Sequence, residues 1–250
     1  MNQISTSNSL LLGAECWVFD LDNTLYPASS NLFAQVDQKM TSFISDFLEL
    51  SLEEAVKIRK TYYRDHGTTL NGLMTLHGLE PGEYLDFVHD IDLSIISPNL
   101  GLDRSLGRLP GRKIIFTNGP TDHAERVLDR ISIRHHFDAV FDIISADYVP
   151  KPDPKIYHAL VERYGLTPSK TVMVEDLARN LEPAAALGMT TVLVCPKGDI
   201  ENEIDREIPR EIDGEIDGEI DGEIDGAGKN IDHVVEDLSQ WLGALTAPSY

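Results

Sequence analysis

Short apolar runs alternate with helix-like segments along much of this chain, and this alternation constrains its fold more than any other feature of the sequence. Each run is strand-length, almost continuously hydrophobic and followed by a polar turn, at residues 16–19, 113–116, 140–144, 171–174 and 190–194. Helical patterns lie between the runs, at residues 121–131, 154–164 and 180–187. Strands that are apolar on both faces and alternate with helices are typical of parallel sheets. The sequence therefore predicts an α/β fold with a parallel sheet.

Residues 27–106 break this alternation, because they predict consecutive helices and no strand. Apolar side chains from Leu32 to Leu48 fall at spacings that line one face of a helix. A second helix is predicted after Ser51, since Glu54 lies three residues on and completes a capping box. Shorter helices are predicted near residues 69–76 and 81–89. We therefore expect an all-helical module, residues 27–106, inserted into a core formed by residues 14–26 and 107–250.

Six tetrads occupy residues 203–226, and the last four are perfect copies of E-I-D-G. A four-residue period is too short for a stacking structural repeat, and glycine at every fourth position works against a helix. We therefore predict that residues 199–228 form an acidic, disordered loop within the core. Weak calcium binding is an alternative, but the ligand spacing of a calcium loop is absent. A short strand at 233–235 and a closing helix at 237–245 are predicted beyond it.

The composition limits the classes of partner. A formal net charge of −21 argues against binding to nucleic acid polymers, because that binding depends on lysine and arginine side chains that neutralise phosphates. The apolar runs are far shorter than the roughly 20 residues of a membrane-spanning helix. Residues 1–14 contain no basic side chain, unlike a secretory signal, and the two cysteines do not suggest a disulfide framework. We expect a cytoplasmic protein that does not enter membranes, and the sequence leaves its oligomeric state open.

Two aspartates follow the first strand directly, in the segment W-V-F-D-L-D-N-T-L-Y-P. In an extended chain, residues i and i+2 point the same way, so Asp20 and Asp22 are expected to converge at the carboxyl end of the strand. Ligands of open α/β sheets bind at that edge. Two carboxylates so close push their pKa values apart, which lets one stay ionised while the other keeps a proton. An acidic strand end that is merely solvated is the alternative.

Three later segments add polar groups suited to the same chemistry. Residues 117–119, T-N-G, end the second strand and offer hydrogen-bond donors to phosphate oxygens, although they also favour an ordinary helix N-cap. Lys151 is a cation whose neighbouring prolines restrict the backbone, although a single lysine usually lies at the surface. Glu175 and Asp176 end a further strand as paired carboxylates. Each segment alone has a purely structural explanation.

The order of these segments resembles that of the four motifs of the haloacid dehalogenase superfamily. The matching segments are D-L-D-N-T, T-N-G, the lysine before P-D-P, and the E-D pair, which follow one another along the chain. The resemblance covers residues 16–28 and 107–196. It implies a Rossmann-like parallel sheet with an inserted all-helical cap. It also implies a phosphatase, because the dehalogenases of the superfamily lack the second aspartate.

Carried onto this sequence, the resemblance implies a nucleophile and a metal site built from carboxylates. Asp20 would attack phosphorus and form an aspartyl-phosphate, and Asp22 would protonate the leaving oxygen and then activate water. A Mg²⁺ cofactor would be held by the Asp20 carboxylate, the Asp22 backbone carbonyl and Asp176, with Glu175 assisting through water. Such an oxygen-rich set suits Mg²⁺.

The resemblance also implies a phosphate-binding site. The groups that would bind or neutralise phosphoryl oxygens are Thr117, Asn118, Gly119 and Lys151. Thr24 would support the loop or assist Asp22. We expect surface or capping positions for the histidines, although His123 lies only four residues beyond Gly119.

The segment at residues 62–73, Y-Y-R-D-H-G-T-T-L-N-G-L, mixes aromatic, hydroxyl and glycine residues. Together with D-L-D-N-T-L-Y-P it resembles the pyrimidine 5′-nucleotidase branch of the superfamily. This implies a small phosphomonoester substrate, a pyrimidine nucleoside 5′-monophosphate such as UMP or CMP, with Tyr63, Thr69 and Asn71 stacking on or hydrogen-bonding to the base. The same residues equally suit packing within the cap. A phosphatase or phosphomutase that acts on sugar phosphates remains an alternative, as does a non-catalytic binding module with the acidic repeats as its interaction tail.

Overall fold

The protein is described by a computed structural model that covers residues 11–195 and 230–247. Within these residues one sheet of six parallel strands has the order β3-β2-β1-β4-β5-β6. The strands are β1 (Cys16–Phe19), β2 (Arg112–Phe116), β3 (Ala139–Phe141), β4 (Thr171–Glu175), β5 (Thr190–Val194) and β6 (His233–Val235). The predicted α/β fold with a parallel sheet is therefore confirmed.

One predicted strand is shorter than expected. The apolar run at 140–144 predicts a strand through Ile144, but β3 ends at Phe141. The Asp142 side chain accepts hydrogen bonds from the backbone N–H groups of Thr121 and Ser145, at 2.9 Å and 2.8 Å. These side-chain contacts favour a turn at Asp142 over continued strand pairing, so the last residue of the strand is Phe141.

Side chains of the central strands pack on both faces of the sheet. In β1, Trp17 and Phe19 join one buried cluster, while Cys16 and Val18 join a second on the opposite face. Burying a large apolar side chain stabilises a fold by roughly 1.5–3 kcal/mol. Helices cover the two faces, namely α5 (Leu100–Arg108), α6 (Thr121–Arg130), α7 (Pro154–Tyr164), α8 (Ala178–Ala186) and α9 (Leu238–Leu245).

A helical cap, residues 32–89, follows β1 and has a hydrophobic cluster of its own. Its helices are α1 (Leu32–Leu48), α2 (Leu52–His66), α3 (Thr69–His77) and α4 (Pro81–His89). The predicted capping box is present, because Ser51 Oγ accepts from Glu54 N at 3.3 Å and Ser51 N donates to Glu54 Oε2 at 3.0 Å. Ile44, Leu73 and Val88 are fully buried in the cap cluster.

The helix α5 belongs by its packing to the core. Leu102 and Leu106 lie in the same buried cluster as Trp17 and Leu242 of α9. The predicted cap boundary at residue 106 therefore falls inside a helix that packs on the core. We propose that the cap ends at His89.

Two further expectations concern the acidic repeats and membrane-spanning helices. The predicted disordered acidic loop, residues 199–228, lies outside the described residues. Among the residues that are described, no helix is long and apolar enough to cross a membrane.

Candidate active site

A cavity of about 430 Å³ lies where the carboxyl ends of β1, β2 and β4 face the helical cap. The core contributes polar residues to its wall, namely Asp20, Asp22, Thr117, Asn118, Gly119, Lys151, Glu175 and Asp176. The cap contributes apolar side chains, among them Phe33, Val36 and Met40, and charged ones, among them Asp37, Arg59 and Lys60. The predicted motif residues therefore meet in one cavity between core and cap.

Lys151 is the centre of a buried network of charges. Its ammonium donates to Asp20 Oδ1 and to Glu175 Oε1, both at 2.7 Å, and to the carbonyl of Phe116 at 2.9 Å. Only 2% of Lys151 is exposed. Burial disfavours its charge, but Asp20 and Glu175 outweigh burial and raise the pKa of Lys151 above its usual value. The lysine is therefore a fixed cation beside Asp20.

Asp20 is held by the sheet as well as by Lys151. Its backbone N–H donates to Val174 O at 2.9 Å, which extends the pairing of β1 and β4 by one residue. The Thr24 hydroxyl donates to Asp20 Oδ2 at 3.0 Å and lies 3.4 Å from Asp176 Oδ1. Thr24 thus contacts Asp20 and Asp176, whereas the resemblance implied support of the loop or assistance to Asp22.

Asp20, Glu175 and Asp176 fit a divalent cation. Each offers a carboxylate oxygen within 4.8 Å of the others, and an all-oxygen set is what Mg²⁺ prefers. Burial, followed by repulsion from Glu175 and Asp20, raises the pKa of Asp176 well above its usual value. Three carboxylates and the single ammonium of Lys151 have a formal net charge of −2, which a divalent cation would neutralise.

Asp22 has a different environment from Asp20. Its Oδ1 accepts from the Tyr26 hydroxyl at 2.6 Å and lies 2.9 Å from His123 Nε2. The chain turns immediately after Asp20, with Asn23 at a φ of 65°, so Asp22 is not placed by an extended strand as predicted. Packing against Tyr26 and His123 fixes its side chain instead.

The pKa values of the two aspartates differ, but in the opposite sense to their expected roles. Asp20, the expected nucleophile, has the higher pKa, and Asp22, the expected general acid, has the lower one. Burial, opposed by Lys151 and reinforced by Glu175 and Asp22, raises the pKa of Asp20 to about 7. Burial of Asp22 is outweighed by His123 and by hydrogen bonds, so the pKa of Asp22 lies below its usual value. A cation beside Asp20 would lower the pKa of Asp20, and an anionic substrate beside Asp22 would raise the pKa of Asp22.

The T-N-G segment has more than one role. Gly119 N donates to Thr117 Oγ1 at 3.0 Å, and both residues line the cavity. The Asn118 side chain accepts from Lys151 N at 2.8 Å and lies 3.4 Å from Lys151 O. We expected Asn118 to bind phosphate, but its side chain is engaged in holding the backbone of Lys151.

Of the three cap residues expected to contact a base, two line the cavity and one does not. Tyr63 and Thr69 line the cavity, and the Arg179 guanidinium lies 4.5 Å from the centre of the Tyr63 ring. Asn71 is not among the cavity-lining residues. Its side chain donates to His66 O at 2.9 Å, and its N–H donates to Thr68 Oγ1 at 3.1 Å. The structure thus places Asn71 in the α3 N-terminus and not on the cavity wall, where the expected contact with a base would require it.

Sequence reasoning missed two histidines and a tyrosine near Asp22. His123 is 1% exposed and contacts His89, with ring centroids 4.6 Å apart. Burial and His123 lower the pKa of His89 to about 4, so His89 is neutral. Tyr26 could have been found from its position four residues after Asp22 in D-N-T-L-Y, whereas His89 has no local signal.

The acidic residues and the expected phosphate-binding residues at the ends of β1, β2 and β4 lie within a segment that matches a known protein family. Residues 15–188 match the haloacid dehalogenase-like hydrolase family. This chain is a haloacid dehalogenase-like hydrolase. The superfamily resemblance of its motifs is thereby confirmed, while the nucleotidase branch remains a prediction.

Relatives of this hydrolase include phosphatases. Glyceraldehyde 3-phosphate phosphatase of Methanopyrus kandleri is 30% identical over 193 residues, which cover 71% of this chain and 82% of the relative. Phosphate metabolism protein 8 of Saccharomyces cerevisiae is 26% identical over 70% of this chain, and the match spans 60% of the yeast protein's length.

Solved structures agree with the fold. A HAD phosphatase from Thermococcus onnurineus is 20% identical, with a TM-score of 0.55 and coverage of 92% of this chain and 97% of that one. L-2-haloacid dehalogenase from Xanthobacter autotrophicus, also 20% identical, has a TM-score of 0.53 and covers 94% of this hydrolase and 100% of its own chain. At these identities the likeness concerns the fold alone.

A second group of possible metal ligands lies away from this cavity. Asp103, His135 and His136 have ligand atoms close together, and none of them lines the cavity. His136 Nε2 lies 2.8 Å from Asp103 Oδ1, a hydrogen bond that joins α5 to the turn before β3. The hydrogen bond accounts for this cluster without a metal.

Proposed function

We propose that this hydrolase is a Mg²⁺-dependent phosphatase that cleaves small phosphomonoesters through an aspartyl-phosphate on Asp20. The observation that carries the proposal is the arrangement around Asp20, which Lys151 contacts at 2.7 Å and which shares a site with Glu175 and Asp176. Asp22 lines the same cavity, and we assign it the role of general acid. The phosphatases among the relatives support the reaction class.

In this reaction Asp20 attacks phosphorus, the bond from phosphorus to the leaving oxygen breaks, and Asp22 gives that oxygen a proton. Asp22 then accepts a proton from water, the water oxygen attacks phosphorus, and the bond to Asp20 breaks to release phosphate. Lys151 and the Thr117 hydroxyl stabilise the charge on the phosphoryl oxygens. Asp20, the Asp22 carbonyl and Asp176, with help from Glu175, would hold Mg²⁺, which when bound would supply further positive charge to that group.

We propose a pyrimidine nucleoside 5′-monophosphate as the substrate. The cap wall combines apolar side chains with the Tyr63 ring and the Thr69 hydroxyl, a combination that suits a flat base with polar edges. A sugar phosphate is the second candidate, because two kinds of relative are named for glyceraldehyde 3-phosphate and fructose 1-phosphate. A phosphomutase would use the same core residues.

The test is phosphate release from UMP, CMP, AMP, glyceraldehyde 3-phosphate and fructose 1-phosphate, each with Mg²⁺ and with chelator. We expect UMP and CMP to have the highest kcat/KM, and chelator to abolish turnover. Equal kcat/KM for the sugar phosphates would remove the nucleotide assignment, and phosphate that moves within a sugar without release would identify a mutase.

A matched pair of variants separates catalysis from binding. Asp20→Asn should lose at least 10³-fold in kcat, whereas Asp86→Asn, the same change at an exposed position of α4, should leave it unaltered. If Asp20→Asn released phosphate as fast as the native protein, a non-catalytic binding module would be the better description.

A further inference from the structure

The carboxylate of Asp22 is held through one of its two oxygens. The Tyr26 hydroxyl and the His123 ring both contact Oδ1, at 2.6 Å and 2.9 Å. Among the described residues, no hydrogen bond to Asp22 Oδ2 is found. Two contacts to one oxygen restrict rotation of the carboxylate and leave the other oxygen for a ligand in the cavity.

His123 is itself fixed by its surroundings. It lies in the first turn of α6 and is 1% exposed. A side chain at Gly119 would place a Cβ atom 3.3 Å from His123 Cδ2 and 3.6 Å from His89 Nε2. The absence of a side chain at Gly119 thus leaves space for both rings beside the T-N-G segment.

His89 connects this arrangement to the cap. It is the last residue of α4, and its Nδ1 lies 2.8 Å from Leu85 O, which orients the ring. The ring packs on His123 at a centroid distance of 4.6 Å. Arg126 of α6 donates to the carbonyl of His89. The end of the cap is therefore attached to the same helix that presents His123.

We propose that His123 is a positioning residue that orients Asp22 for proton transfer to the leaving oxygen, and that His89 of the cap orients His123. This inference rests on the proposed phosphatase function. It assigns a task to His123, which is not among the cavity-lining residues, and to His89, which is. It also gives the cap a part in the chemistry, because the His89 ring packs on the His123 ring.

The choice of leaving group distinguishes a positioning role of His123 from a purely structural one. General acid catalysis contributes typically 10²–10⁴-fold when the leaving oxygen is basic. The alkoxide leaving group of UMP needs the proton, whereas the stable phenolate of p-nitrophenyl phosphate needs it little. Because kcat/KM reports steps up to the first irreversible one, it isolates the first proton transfer from the later hydrolysis of the aspartyl-phosphate.

The experiment compares kcat/KM of the full chain with both substrates. His123→Leu should lower the value for UMP by about 10²–10³-fold and the value for p-nitrophenyl phosphate by less than fivefold. His123→Gln, whose amide restores a donor, should recover at least tenfold for UMP. The control His158→Leu, at an exposed position of α7, should change neither value. Equal losses for both substrates, or no recovery with glutamine, would refute the positioning role.

A double-mutant cycle tests the part assigned to His89. His89→Leu alone should lower kcat/KM for UMP by about tenfold, and it should add less than twofold in a His123→Leu background. Independent, multiplying losses would show that His89 does not act through His123. If His123→Leu does not fold, Tyr26→Phe takes its place, because it removes only the other hydrogen-bond donor to Asp22. This variant should show the same dependence on the leaving group. Equal losses for both substrates would again refute the positioning of Asp22.

Failure of the proposed function gives a separate result. A native protein that hydrolyses neither substrate would refute the phosphatase itself. If it hydrolyses p-nitrophenyl phosphate but not UMP, only the nucleotide assignment fails, and glycerol 3-phosphate replaces UMP as the alkyl ester. The positioning role itself fails when the native enzyme is active and the His123 variants show no difference between alkyl and aryl esters, or no recovery with glutamine.

Discussion

At the scale of single residues, the energetics of the site are dominated by charges that have been removed from water. Lys151 and Glu175 are 2% and 1% exposed, and their ion pair is shared with Asp20. A buried ion pair costs desolvation energy, and removing one partner leaves the other uncompensated. The residues that conduct the chemistry are therefore also residues on which stability depends.

Lys151→Met should destabilise the protein by about 3–5 kcal/mol, because two buried carboxylates lose their cation. The measurement is the free energy of unfolding in urea, with and without Mg²⁺. Mg²⁺ should stabilise the variant more than the native protein, since the site gains one negative charge. The exposed counterpart Lys155→Met should behave as native, and an unchanged stability for Lys151→Met would contradict the buried network.

Asp176→Asn should remove most of the stabilisation that Mg²⁺ confers. A ligand at 100 times its Kd stabilises by about 2.7 kcal/mol, which for a chain of this size raises Tm by roughly 5–10 °C. We expect such a rise for the native protein and less than about 2 °C for the variant at the same Mg²⁺ concentration. Asp86→Asn serves as the matched control. Equal rises in both variants would place the metal elsewhere.

At the scale of elements, helix and strand ends place the site. β1, β2 and β4 end at the same edge because they are parallel and in register, with Phe19 opposite Ile115 and Val174. The cap helices begin at local signals, of which the Ser51 capping box of α2 is the clearest. The Ser51 capping box depends on neighbouring residues only and does not line the cavity, so it can be changed without touching the site.

Ser51→Ala should lower the free energy of unfolding by about 1 kcal/mol, because the N-terminal N–H groups of α2 lose an acceptor. Urea denaturation measures this change, and Ser51→Thr should restore most of it. Neither Ser51 nor Glu54 lines the cavity, so kcat with p-nitrophenyl phosphate should stay within twofold of native. A larger loss of kcat would mean that the α2 N-terminus affects the site.

At the scale of the whole molecule, the core and the cap enclose one cavity and share apolar contacts, since Leu32 of the cap lies in a core cluster and Ile143 of the core in the cap cluster. The core has apolar clusters on both sheet faces, and the cap has its own. Contact between them across the cavity includes Arg179 of α8 over the ring of Tyr63 of α2. A helical cap of this kind can exclude water when it closes on a substrate.

Tyr63→Ala should weaken that closure. A cation–π contact at a partly exposed site is worth about 0.5–1 kcal/mol, so we expect KM to rise about two- to fivefold with kcat within twofold. Tyr63→Phe keeps the ring and should keep the native KM. A rise with UMP alone, and none with p-nitrophenyl phosphate, would instead indicate that Tyr63 contacts the base.

Local signals predicted much of the fold. Continuous apolar runs predicted β1 and β5 to the residue, and the helical pattern at 154–164 predicted α7. The run at 140–144 misled because hydrophobicity does not report the capping by Asp142 that ends β3. Asn71 misled for a similar reason, since a polar residue at a helix start can bond to the backbone as well as to a ligand.

The sequence by itself predicted the parallel sheet, because continuous apolar runs alternate with helical patterns, and the resemblance of its motifs implied the residues expected around Asp20. Only the tertiary structure decided how Asp22 is held, what Asn118 does and which cap residues reach the cavity. His89 and His123 lie 34 residues apart in the chain, and packing between α4 and α6 brings their rings to 4.6 Å. Contacts of that kind depend on the docking of two bodies, and no local pattern of residues encodes them.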